Sequence, residues 1–598
     1  MKDKFILEVQ NPRSLRKMET FQGLTAPRPA TLDGKRVAIL SGLPEGEFLM
    51  KSLQELLQEK YSTGTFDLVF FNPMAPKEYI ELLRSYDAFL EGVRLTGGSD
   101  SEPVVDYERA GIPGVHICVE AMGTQATFSA LAHGLPVMRI VEIPTLKWLN
   151  AANVPENYSV VAEVVLDDII HALTDPLTEE EKNPPPFEYD YSNRCFEGAD
   201  YNEAFEKFQK YFMENDLTDG VAVAPPTPEA VKAMLAGTTR KPDEVIEGIM
   251  QPGRGIVTIE KIAINAVMAG AKPEYLPVII TAVEMICDPK FFSWHTLAAI
   301  NSDNLLISVG GPIAKEIGMT GRGAYFGPGN QANNSIGRAV SLCTRNLGWV
   351  EYEVHGGMYG QPSRFCNLVF CENEDESPWE SYPVSLGFNP EDSTVMVEEV
   401  FHLDGVFQLG NMAMPSGPWT HGLQADMERI AEKARGEAPN LEAVTYGTAN
   451  IHMQGARGTN PLPLINGRTY ALILYPGLAR QLAEAGYTRE TLARFIADYK
   501  GVPWEDLGSG LQEGLIKLAK SGVMPGVTLD ICKPGGKIPV MNSSRLAIFV
   551  AGHMYGQTIG MMCMGSYGGM FSGGTADPRV PPYNIKKVTG ATLTKAGR

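Results

Sequence analysis

The chain has 598 residues, 44% of them hydrophobic and 20% charged, with a formal net charge of −20. Such a length exceeds what one core serves and predicts about three domains, and the acidity argues against nucleic acid and anionic membranes as partners. Eight cysteines with no CxxC pair speak against a disulfide framework or a structural zinc site.

Residues 1–34 are polar and rich in Pro and Arg, and read as an arm that packs on another domain or subunit. The first strand is predicted over 36–40. A helix over about 46–60 follows, with Phe48, Leu49, Leu53, Leu56 and Leu57 at helical spacing. A second strand over 67–71, a helix over 77–85, a third strand from 88, a fourth over 116–119 and a fifth over 137–141 complete the pattern. Strands alternating with helices predict a doubly wound, mostly parallel sheet over 35–175. Residues 176–225 form a connector. Its Pro184-Pro185-Pro186 run is stiff, and nine aromatics between Phe187 and Phe212 predict that it packs against something.

Thr227 and Pro228 then supply an N-cap and a favoured first helical residue. The remainder, 226–598, reads as a larger α/β region of one or two lobes. Helices are expected over about 257–270 and 277–287, and strands over 305–309, 469–474 and 545–551. No repeat of fixed period is visible. The fold class is therefore multi-domain α/β. The N-terminus lacks a long apolar core and no stretch reaches about 18 consecutive apolar residues, which predicts a cytoplasmic protein. Its expected partners are a small-molecule substrate and further copies of the chain.

Three segments carry candidate chemistry. The first is Gly97-Gly98-Ser99-Asp100-Ser101-Glu102-Pro103, after the third strand. Paired glycines let a backbone approach a ligand, and the N–H groups opening the next helix favour an anion. Asp100 and Ser99 are candidates for nucleophile or base, with Gly97 and Gly98 binding substrate. The alternative is that Asp100 or Ser101 simply caps the helix.

The second segment, Gly327 to Ala339, is a glycine/asparagine loop running into a helix expected to begin near Asn334 or Ser335. Asn330, Asn333 and Asn334 offer donors and acceptors, and Arg338 offers a bidentate clamp for a carboxylate or phosphate. The alternative is a capped helix with a surface arginine. The third is Glu372-Asn373-Glu374. If extended, Glu372 and Glu374 point to one side and could bind a divalent metal, the one cofactor considered; a merely solvated acidic loop is the alternative. Among nine histidines, His553 follows a late strand where sites form. His116, within the fourth strand, reads as a satisfied core residue, and His295 and His355 are weaker candidates. The absence of HExxH and of a Gly-x-Ser-x-Gly elbow disfavours a zinc or serine hydrolase.

Several of these pieces carry a resemblance. The segment 32–40, Gly92-Val93, Glu108-Arg109-Ala110-Gly111-Ile112-Pro113 and the 139–144 strand are similar to the UGSC family of (seleno)proteins. More distantly they resemble the selenoprotein B component of glycine and betaine reductases, which has a Sec-Gly-x-Cys loop before a like helix. The stretches 260–270, 310–319, 327–339 and 371–380 look like the C-terminal region found fused to UGSC domains. In these families selenocysteine or cysteine opens the loop motif and cysteine ends it. Here Gly97 and Asp100 stand at those places, which rules out selenol or thiol chemistry at this loop.

The expected activity is that of an enzyme on a small polar, anionic metabolite, held by the Gly97–Ser99 backbone and Arg338 in an interdomain cleft; the resemblance implies cleavage or exchange of a carbon–heteroatom bond, here by non-thiol chemistry. A lyase, hydrolase or reductase-related activity would fit. The competing expectation is a catalytically silent ligand-binding or scaffold subunit of a reductase-like complex.

Overall fold

The computed structural model describes residues 4–18, 22–41, 44–70, 76–93, 102–151, 154, 156–291, 293–298, 304–355, 365–406, 423–437, 469–521, 526–539, 543–554, 556, 558–563 and 584–592. The arm begins with two short strands, β1 (Phe5–Val9) and β2 (Leu15–Arg16). A five-stranded parallel sheet follows. Its strands are β3 (Arg36–Ser41), β4 (Thr65–Phe70), β5 (Ala88–Gly92), β6 (Gly114–Val119) and β7 (Ile140–Ile143), in the order β4-β3-β5-β6-β7. Between and after them run α1 (Pro44–Lys60), α2 (Glu102–Arg109), α3 (Gly123–Ala132) and α4 (Asn157–Thr174).

Strand residues alternate between faces. Val37, Ile39, Leu90 and Ile117 bury against Leu49 and Leu53 of α1 and Val165 and Ile169 of α4. Their neighbours Ala38, Leu40 and Phe89 bury against Val104 and Tyr107 of α2 and Ala130 of α3. The doubly wound sheet is thus present, with two local corrections. The fifth strand starts at Ile140 rather than 137, because Met138 N bonds Leu135 O (3.2 Å) in a turn. The expected helix over 77–85 is a 3-10 turn (Pro76–Tyr79) followed by one α-turn (Ile80–Leu83). Ser85 N and Tyr86 N close back on Leu82 O and Leu83 O to turn the chain into β5.

The arm and the aromatic connector tie this domain to the rest. β1 pairs antiparallel with β8 (Arg194–Gly198), and β2 with β9 (Gly255–Ile256). The connector helix α5 (Tyr201–Glu214) is capped by Asp200 and buries Phe208 and Phe212 in the C-terminal core. Phe187 and Tyr189 close edge-on against Trp349. The Arg13 guanidinium lies 4.5 Å from the centre of the Trp349 ring, and Arg16 lies over Phe128 and Phe187. Gln125 of α3 donates to Val354 O (2.6 Å), and the buried His355 ring meets Phe128 edge-on at 4.5 Å.

The C-terminal region is built on a second sheet. α6 (Ile259–Met268), capped by Thr258, and α7 (Leu276–Cys287) precede β10 (Asn304–Gly310). Then come α8 (Gln331–Gly348), β11 (Leu368–Phe370), β12 (Thr394–Val406) and β13 (Thr469–Leu474). The chain continues through α9 (Pro476–Glu484), α10 (Arg489–Asp498), a small pairing of β14 (Val502–Pro503) with β15 (Lys537–Ile538), and β16 (Leu546–Val550). β17 (Thr558–Cys563) and β18 (Asn584–Lys587) complete it.

The strand order is β11-β10-β12-β17-β13-β16, with β18 beside β12. β10/β11 and β13/β16 are parallel and the pairs between them antiparallel, so the pattern reads the same from either edge. Each parallel pair is a strand, a proline-led helix (Pro312 or Pro476), further helix and a strand. This duplication has no fixed sequence period. The sheet curls until the segments leaving its two edge strands meet. Asn373 N bonds Val550 O (2.8 Å), and the rings of Phe370 and Phe549 stand 5.2 Å apart inside. Leu306, Met396, Ile473 and Met561 fill the same interior, while α6 to α8 pack outside one half and α9 and α10 outside the other. Among the described residues no helix is long and apolar enough to cross a membrane.

Glu372 seals that seam. Its carboxylate accepts from Arg489 Nη2 (2.8 Å), Val550 N (2.9 Å) and Tyr382 N (2.5 Å), and the Arg489 guanidinium also donates to the carbonyls of Ile548 and Glu380. Both side chains are under 10% exposed. Replacing Glu372 with Ala strands a buried guanidinium, so unfolding of the C-terminal region in urea should lose about 3–5 kcal/mol. The double variant Glu372→Met/Arg489→Met should recover part of that loss.

His355 gives the junction an acid sensitivity. Burial pushes its pKa down to about 3, against about 6.5 when unfolded. Below about 6.5 the unfolded chain therefore binds a proton that the folded chain refuses, so this site costs stability as pH falls from about 6.5 towards 3. A His355→Leu variant should show a shallower fall of Tm between pH 6.5 and 4 in scanning calorimetry.

Candidate functional site

In a parallel sheet a crevice opens where the strand order reverses, beyond the carboxyl ends of the strands. Here the chain runs from β3 to β4 on one side and then to β5 on the other. The reversal lies between β3 and β5. The connection after β3 leads into α1 on one face; the connection after β5 leads into α2 on the other. Two helix N-termini thus flank one crevice, and their unpaired N–H groups favour negative charge there. The backbones beside it pack closely. Gly92 has φ +148°, and an added Cβ there would run into the Ile117 carbonyl. Gly46 in the first turn of α1 lies so close to Val93 that an added Cβ would sit 3.1 Å from its carbonyl oxygen.

Gly97, Gly98, Ser99 and Asp100 lie outside the described residues, between Val93 at the end of β5 and Glu102 at the start of α2. What lies beside that connection is described. Glu91 of β5 and His116 of β6 are register partners, and His116 Nδ1 lies 2.7 Å from Glu91 Oε2. Both are buried, at 0% and 1% exposure. They share the face of Phe89, the one covered by α2 and α3. His116 Nε2 is buried with no hydrogen-bond partner. The satisfied-core reading of His116 therefore holds for one nitrogen only.

A second imidazole stands nearby. His133, after α3, bonds Ser129 O through Nδ1 (2.9 Å), and its Nε2 lies 3.6 Å from Glu102. Burial pushes its pKa down, and Glu102 opposes the shift. Glu91 and the Glu102–His133 pair went unremarked in the sequence. The signal for Glu91 was a carboxylate inside the otherwise apolar strand Ala88-Phe89-Leu90-Glu91-Gly92, where a charge needs a partner.

The geometry is clamped by Arg28 of the arm. Its Nη2 and Nη1 meet the two oxygens of Glu108 at 2.6 and 3.2 Å, with both side chains buried. The same carboxylate accepts from Gly114 N (2.8 Å). One side chain thus joins the arm, the end of α2 and the start of β6, two residues before His116.

The other expected site residues fall in two further places. Asn334 and Arg338 line a cavity of about 570 Å³ with Phe326, Gln331, Cys366 and Asn367. Arg338 is not a free clamp, because Nε and Nη2 already hold Asp219 at 2.8 and 2.9 Å. Asn330 caps α8 from Asn333 N (3.0 Å), so that helix begins at Gln331, earlier than expected. Asn333 is buried. Its amide donates to Thr320 O, Tyr325 O and Val369 O and its oxygen accepts from Thr320 N, which leaves nothing for a ligand.

Glu372 and Glu374 do not form a metal pair. β11 ends at Phe370, so the alternation that would align them stops short, and Glu372 is consumed by the seam. Glu374 is half-buried 3.9 Å from Lys315, with burial raising its pKa. No cluster of three or more His, Cys, Asp or Glu suited to a metal occurs among the described residues. His553 is exposed beside Gly323, at the seam, and the side chain of His295 is outside the described residues.

Searches of curated proteins and of solved structures each return no match, so the more distant likeness to selenoprotein B is unsupported. Residues 8–175 match the family model of the UGSC family. That span runs from β1 to the end of α4 and includes the crevice, the Glu91–His116 pair and the Arg28–Glu108 clamp. Over these residues the chain is similar to the UGSC family.

Proposed function

We propose that the protein is an enzyme acting on a small polar, anionic metabolite at the carboxyl edge of the N-terminal sheet. It cleaves or exchanges a carbon–heteroatom bond without a thiol, since Gly97 and Asp100 stand at the positions where the family's Sec or Cys residues would be. The observation that carries this reading is a crevice flanked by two helix N-termini, with a buried carboxylate–imidazole pair across the adjoining strands β5 and β6. The helix ends favour the substrate's negative charge. The pair supplies proton transfer. The C-terminal region closes on the same domain through Val354 and His355 against α3, which suits a site that excludes water at a domain boundary.

The test uses the full chain and a defined mixture of small hydroxy-, amino- and phosphocarboxylates, followed by mass spectrometry. One member should be consumed, and Asp100→Asn should slow its consumption by about 100-fold or more. If no member is consumed while one still co-purifies with the protein, the enzyme reading is wrong and a silent ligand-binding role takes its place.

A further inference from the structure

We infer that His116, oriented by Glu91, is the proton-transfer residue of this site; the inference rests on the reading just proposed and deepens it. A buried carboxylate and imidazole in contact have few arrangements. With Glu91 as the acceptor, His116 Nδ1 donates, and in the proposed role the ring is the neutral tautomer with the lone pair on Nε2. That lone pair is fully buried and has no protein partner, a cost that folding does not accept without a return. Glu91 fixes the tautomer and ring plane and steadies the imidazolium once it forms, which makes it a positioning residue.

The position supports this role. Register places the pair one residue before the end of β5, on the sheet face covered by α2, the helix that the connection from Val93 enters. His133, the other buried imidazole of this domain edge, differs in kind: a backbone carbonyl holds its Nδ1, and Nε2 faces Glu102. Of the two, His116 combines a carboxylate at one ring nitrogen with a buried second nitrogen that has no protein partner.

The balanced reaction that one such base can run is an elimination. Nε2 takes a proton from a substrate carbon next to a carboxylate. The C–H electron pair becomes a C=C bond, and the carbon–heteroatom bond breaks with its pair on the heteroatom. The imidazolium then returns its proton to that leaving heteroatom. No electron is gained or lost, so no oxidant or reductant is required. The substrate class is a small carboxylate with a hydroxyl, amino or phospho group on the β-carbon.

Two measurements decide it. Nitrogen-15 spectra of the histidine-labelled wild-type protein should show His116 protonated at Nδ1 and bare at Nε2 near neutral pH, and Glu91→Gln should disturb that pattern. A bare Nδ1 with a protonated Nε2 overturns the inference whether or not any variant folds. In the metabolite assay, His116→Gln should lower kcat by about 100-fold to 10,000-fold while KM stays within about threefold, and Glu91→Gln should lower kcat in the same sense. If the wild type consumes a substrate and His116→Gln matches it, this inference fails together with the pair's role in proton transfer, and the anion-binding crevice and the enzyme reading stand. If the wild type consumes nothing, the site reading fails and takes the inference with it.

Discussion

Everything at the candidate site hangs on one buried carboxylate. Glu108 cannot enter the interior unpaired, because an uncompensated charge there costs several kcal/mol. It is satisfied by Arg28, from the arm, and by the Gly114 amide, at the first residue of β6. Three stretches of chain must therefore arrive together before the charge is tolerable. Once they do, α2 and β6 are locked, and with them the start of α2 at the crevice and the strand that carries His116. The Glu108-to-Pro113 stretch that resembles the UGSC family has a physical reason in this clamp.

The same logic recurs elsewhere with a different outcome. Glu372 and Arg489 are also a buried pair, but the carboxylate's contacts go to the seam of the curled sheet. Both Arg338 nitrogens that face Asp219 are likewise committed. Glu91 and His116 differ because one nitrogen of the pair remains unspent. A fully committed ion pair holds a fold; a carboxylate–imidazole pair whose second ring nitrogen is uncommitted can also move a proton.

Much of the architecture was legible in the chain. Apolar strands alternating with amphipathic helices required a parallel sheet with both faces covered, and Phe48, Leu49 and Leu53 marked the buried side of α1 correctly. The proline and aromatic run of the connector required a partner surface, which Trp349 and the C-terminal core supply. Where expectation slipped, at 77–85 and 137–141, short-range turns overrode propensity. The two parallel strand–helix–strand units of the curled sheet were invisible because they share connectivity and pairing rather than residues at a fixed spacing.

The sequence by itself determined most of the local elements, that a glycine-rich segment follows β5, and that this segment holds no cysteine, since those depend on residue identity and near neighbours. It could not tell a ligand-binding polar residue from a committed one. Asn333, Arg338 and Glu372 looked available because their partners lie far away in the chain or on unpredictable turns. Glu91 and His116 looked ordinary because they are 25 positions apart and become partners only through strand register. Only the tertiary structure decides which polar atoms are already paired, because a buried charge is answered by whatever the fold brings next to it.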